Sequence, residues 1–103
     1  MKSTYKLNIE NLRVYNINQC NNTTRAIIKT MLELYKENKE LNSTEILIEA
    51  IKRGHWSTTQ KEEKYYTTFD YYINKNVKNN IRNLIIINKQ KEVEEFLDLS
   101  DIE

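Results

Sequence analysis

At 103 residues the chain holds one small domain and not two, and 39% hydrophobic content with clear periodic segments excludes global disorder. No apolar run approaches the roughly 18 residues of a membrane span, and the opening MKSTYKLNIENLRVYNINQ lacks the apolar core of a secretory signal. The formal charge of +1 hides a split: residues 1–91 carry 16 basic and 9 acidic residues, a net of +7, while residues 92–103 carry six acids and no base.

One cysteine, Cys20, rules out an internal disulfide and fits a reducing intracellular setting, the cytoplasm or a host cell. A single glycine and no proline leave Asn, Asp, Ser and Thr to make the turns, and they exclude a glycine-rich phosphate cradle. Abundant Asn, Ile, Lys and Tyr, all with AT-rich codons, suggest an AT-rich virus, phage or bacterium.

Residues 4–9 alternate in part, with Tyr5, Leu7 and Ile9 on one side of a strand. Leu12, Val14 and Ile17 suggest a second short β run, joined to the first by a turn at Glu10–Asn11. Asn22 or Thr23 caps a first helix over about Thr24 to Asn38, whose inner stripe is Ile27, Ile28, Met31, Leu32 and Tyr35, extended by Leu34. Leu41 to Ser43 is a link. Asn42 followed by Glu45 resembles a capping box for a second helix over Ser43 to Arg53, with Ile46, Leu47, Ala50 and Ile51 inward. Gly54 falls just past it, where a left-handed residue ends a helix at little cost.

Thr58 or Thr59 then caps a long third helix, reaching Lys78, with Glu62 or Glu63 near its positive end. Lys61, Lys64, Thr68, Tyr71, Lys75 and Lys78 recur every three or four residues and form an acid-free stripe. Tyr65, Tyr66, Phe69, Tyr72, Ile73 and Val77 lie largely opposite, on the packing side. Asn79–Asn80 ends the helix. The run from Leu84 to Ile87 reads as a strand that must pair, with the amino-terminal β segment the obvious partner. Residues 91–98 read as a return strand or, favoured by Glu94 and Glu95, a short helix. The expected fold is therefore α+β and winged-helix-like: three helices with a short antiparallel sheet from amino-terminal and late strands. Residues 1–98 form one domain and 99–103 the end of an acidic tail.

The stretch from Arg25 to Thr59, RAIIKTMLELYKENKELNSTEILIEAIKRGHWSTT, resembles the start of a HARE-type winged-helix domain. Leu41, Glu45–Ile46 and the Arg53, Gly54, Trp56 element fall at matching places, and the resemblance covers about residues 24–90. The chain departs from it at Gln60 to Glu63, where the family has a Gly-Lys-Thr-Pro-like turn, and it lacks a glycine-containing wing. The resemblance implies DNA binding, as proposed for most members, or docking on protein, as in the acidic-tailed delta subunit of bacterial RNA polymerase.

Lys61, Lys64, Lys75 and Lys78 suit phosphate contacts, with Thr68 and Tyr71 placed to touch a base edge or phosphate. Lys52, Arg53 and Arg82 extend the patch; Lys89 could do so from the strand side. The competing reading of this stripe is a solvated face. Trp56 reads as a core anchor between the second and third helices. His55 and the distant Cys20 make no zinc ligand set, and no cofactor is implied. No paired acids or activated nucleophile suggest catalysis, so the chain reads as non-enzymatic. The leading expectation is a small DNA-binding protein that contacts double-stranded DNA through the third helix, such as a viral or mobile-element transcriptional regulator. The alternative is a protein-interaction module: a polymerase accessory factor or a virus-encoded inhibitor of host machinery. The tyrosine surplus also suits a homodimer.

Overall fold

The computed structural model describes residues 3–13, 15, 17–75 and 81–88. Val14, Val77, Lys78, the helix end at Asn79–Asn80, Lys89, the segment 91–98 and the tail lie outside the described residues. The chain order is β1 (Thr4–Leu7), α1 (Ile9–Leu12), a 3-10 turn (Ile17–Gln19), α2 (Asn22–Lys36), β2 (Leu41–Asn42) and α3 (Ser43–Lys52). A 3-10 turn (Glu62–Lys64), α4 (Tyr65–Phe69) and a π-helical turn (Asp70–Asn74) form one continuous element. A 3-10 turn (Ile81–Leu84) and β3 (Ile85–Asn88) follow.

The architecture is α+β with a winged-helix-like layout. The three-stranded antiparallel sheet has the order β2-β1-β3. The amino-terminal strand therefore fills the central slot. Thr4 and Tyr5 face Asn42 and Leu41 on one side; on the other, Thr4 to Leu7 run against Asn88 to Ile85. The expected pairing of the amino-terminal and late strands holds, and the Leu41–Asn42 link adds a short third strand.

Among the described residues the second β run is absent: Leu12 ends α1 and Ile17 opens a 3-10 turn. Asn8 caps α1 with its side chain, accepting from the Asn11 amide at 3.3 Å, and so ends the strand. Ile9 and Leu12, three apart, then pack against the core from a single helical turn. β1 finds its partners far along the chain, so no hairpin at Glu10–Asn11 is needed.

α2 starts earlier than its apolar pattern suggests. Asn21, not Asn22 or Thr23, is the cap, and its side chain accepts from the Thr24 amide at 2.8 Å. The helix ends at Lys36 because Asn38 takes a left-handed φ of 59°, which lets the Lys39 amide reach the Leu34 carbonyl at 2.9 Å. Leu34 is buried and Tyr35 exposed, the reverse of their expected ranking.

α3 opens with the full capping box: the Glu45 amide donates to Asn42 at 2.9 Å and the Asn42 amide donates to Glu45 at 3.0 Å. Ile46, Leu47 and Ala50 are fully buried, whereas Ile51 sits outside the core. Gly54 ends the turn at φ 76°. The core sits between the sheet and α2, α3 and α4; the Tyr5 and Phe69 rings, 4.8 Å apart, join sheet to α4.

Candidate interaction face on the fourth helix

The segment entering α4 is held at both ends. The His55 and Trp56 amides both donate to the Ala50 carbonyl, which folds the chain back over the end of α3. Trp56 then meets Tyr65 edge-on at 5.7 Å, so it bridges α3 and α4 as expected. Neither Thr58 nor Thr59 caps the helix. The Thr58 hydroxyl instead accepts from the Gln60 amide in a local turn, and Lys61 occupies the cap position without a side-chain bond. The helical element begins only at Glu62, with Glu62 and Glu63 at its positive end.

The predicted stripe is interrupted. Thr68 is 9% exposed and donates its hydroxyl to the Gln60 side chain at 2.7 Å. It pins the entry loop onto the helix and is not available to a ligand. Lys61, Lys64, Tyr71 and Lys75 are exposed. Lys75 lies 3.4 Å from Asp70, and Glu62 and Glu63 are exposed beside Lys61 and Lys64. Residues 61–75 hold three lysines and three acids, so the segment carries no net charge. Lys78 lies outside the described residues, and Arg82 is in the 3-10 turn before β3.

The face is distinguished by aromatics. Tyr66 is 56% and Tyr71 64% exposed, and the Tyr71 ring meets Tyr72 edge-on at 5.0 Å. Tyr66, Thr67, Asp70 and Tyr71 follow an i, i+1, i+4, i+5 spacing and share one broad face. Tyr66 was expected on the packing side. Tyr65, Phe69 and Ile73 fill that side instead, leaving Tyr66 outward.

Arg53 does not extend a basic patch. Its guanidinium is clamped by three carboxylates: Glu37 at 2.7 and 2.9 Å, Glu33 at 3.1 Å and Glu49 at 3.0 Å. Neighbouring Lys52 lies 3.7 Å from Glu49. His55 Nε2 meets Glu33 at 2.9 Å. The cluster fastens the end of α3 to α2. Arg53 holds the Glu37 carboxyl down at about 2, and hydrogen bonds from His55 and Arg53 lower Glu33. A carboxylate depressed in the folded state stabilises above its unfolded pKa, and that stabilisation is lost as pH falls through the folded value. Arg53→Met is expected to lower the melting temperature at pH 7, because it leaves Glu33, Glu37 and Glu49 close together without the cation they share. It is also expected to flatten the acid-side loss of stability between about pH 4.5 and 2. Thermal melts across that window check both effects; an unchanged acid profile would contradict the clamp.

Cys20 is buried, with its sulfur 3.1 Å from the Tyr15 hydroxyl. Burial and this contact raise the Tyr15 pKa above the ordinary tyrosine range. Among the described residues no cluster of His, Cys, Asp and Glu can hold a metal ion, and no helix is long and apolar enough to cross a membrane.

Sequence reasoning missed three features. Two of the acid partners of Arg53, Glu37 and Glu33, lie 16 and 20 positions away with no local signal, whereas Glu49, one helical turn before it, could have been found from the i, i+4 spacing. Burial of Thr68 was hidden by its place in the lysine period. The outward turn of Tyr66 could have been found by noting that Tyr65 and Phe69, four apart, already define the inner line. No family model, curated relative or solved structure matches the chain.

Proposed function

We propose that the chain is a non-enzymatic, intracellular protein-interaction module that docks a protein partner on the exposed face of α4. The observation that carries this is the pairing of two largely exposed tyrosines with a segment of no net charge. Tyrosine gives a large contact area at low entropic cost and is enriched among the residues that dominate interface energies. Nonspecific DNA affinity instead comes from net positive charge, and three acids offset the three lysines here. The same proposal takes the chain as a HARE-type winged-helix domain, supported by the Leu41–Asn42 strand leading into the capped α3 and by Trp56 on Tyr65.

Double-stranded DNA is the second candidate partner, favoured by Lys61 and Lys64, which are exposed and have no acid within ion-pair distance among the described residues. The two are separated by a pair of double variants. Tyr66→Ala with Tyr71→Ala is expected to abolish retention of protein partners from the source cells while leaving the melting temperature within about 2 °C, because both rings are outside the core. Lys61→Gln with Lys64→Gln is expected to leave retention intact. Retention that survives loss of both tyrosines, together with duplex binding whose salt slope falls in the lysine variant, would replace the protein partner by DNA.

A further inference from the structure

α2 carries cations rather than acids near its start. Its first turn has no acid, and its only first-turn or second-turn charges are Arg25 and Lys29. A helix start is positive because its first amides lack helical acceptors, so acids there stabilise and cations do not. α3 follows the ordinary pattern, with Glu45 in its first turn and Lys52 in its last. α2 likewise has a cation, Lys36, in its last turn, but where α3 begins with an acid α2 begins with Arg25 and Lys29.

The surface there is concave. A depression of about 370 Å³ is lined by Asn22, Arg25, Ala26, Lys29, Gly54 and His55. It lies between the first half of α2 and the turn that ends α3. None of its lining residues among the described residues is acidic. Arg25 and Lys29, one helical turn apart on one face, are exposed and have no carboxylate within ion-pair distance among the described residues. Among the described residues the Arg25 side chain meets the Asn22 side-chain oxygen alone. The nearest acid along the helix, Glu33, is bound by Arg53 and His55 and so does not neutralise the depression. Gly54, at φ 76°, has no atom within 4 Å of where a side chain would start, so the floor of the depression on that side is open.

We propose that this depression is a phosphate-binding site, in which Arg25 and Lys29 hold a phosphate group. Guanidinium supplies a planar, two-pronged donor and ammonium a point charge, the usual pair for phosphate oxygens. The phosphate comes from a nucleic-acid backbone or from a free phosphoryl compound. The site does not involve the tyrosine face of α4 and stands apart from the proposed function.

The test is an amide chemical-shift titration of the full chain with inorganic pyrophosphate, and separately with a random 20-base-pair duplex. Pyrophosphate is expected to shift the amides of residues 22–29 and 54–55, and Arg25→Gln with Lys29→Gln to weaken it roughly tenfold or more. That double variant removes two exposed groups without acid partners, and a melting temperature matching the parent verifies that the fold is kept. Duplex shifting the same amides, and lost in the same variant, supports the site with a nucleic-acid phosphate. Pyrophosphate binding without duplex binding supports it with a free phosphoryl ligand. Shifts that fall elsewhere, that chloride at equal ionic strength reproduces, or that survive the double variant would overturn it.

Discussion

Phe69→Ala is expected to destabilise the protein by roughly 3–5 kcal/mol, a large part of the total stability of about 5–15 kcal/mol typical of such a domain. Phe69 is fully buried. Its ring sits 4.8 Å from Tyr5 and so links α4 to the central strand. Truncation removes the apolar burial and leaves a cavity bounded by the sheet on one side and helices on the other, which cannot collapse without shifting one of them. Urea denaturation measures the loss. A loss below about 1 kcal/mol would mean that the site relaxes freely and that α4 is not packed on β1.

The second large effect concerns the amino-terminal strand. A chain beginning at residue 9 is expected to lose cooperative folding. β1 is the middle strand, hydrogen-bonded to β2 and β3 on its two sides, so its removal leaves two short strands without a partner. It also removes Leu7, 1% exposed, and Tyr5, 8% exposed, from the core. Leu7→Asp tests the same point without shortening the chain, because an unpaired carboxylate there loses its water. Both variants should show broad, non-cooperative melts. Retention of a sharp transition by the shortened chain would show that β2 and β3 are held without β1.

How much of this was legible in the sequence follows the distance over which each feature is decided. The Asn42–Glu45 capping box and the Gly54 helix end are set within a few residues, and both stand in the structure. The pairing of β1 with β3 followed from necessity, since a lone apolar run must find a partner. The run from Ile9 to Leu12 was misread because so few apolar residues fit a period of two or of 3.6 equally well. β2 has two residues and leaves no pattern at all.

The lysine stripe was legible as a period but not as a surface. Period alone cannot report that Asp70 meets Lys75, or that Thr68 turns in to Gln60. Arg53 looked like part of a basic patch because its neighbours in sequence are Lys52 and Gly54. Its neighbours in space are Glu33, Glu37 and Glu49, and they reverse its meaning. Basic composition thus overstated the positive charge that this part of the molecule offers a polyanion.

The central claim is that α4 meets a protein through its tyrosines. The most direct measurement places a photo-activatable phenylalanine analogue at position 71 in the source cells, with the same analogue at exposed Glu10 as the control. A discrete protein adduct from position 71, absent from position 10 and lost on Tyr66→Ala, is the predicted result. Adducts indistinguishable from those at position 10, or crosslinks to nucleic acid alone, would contradict it.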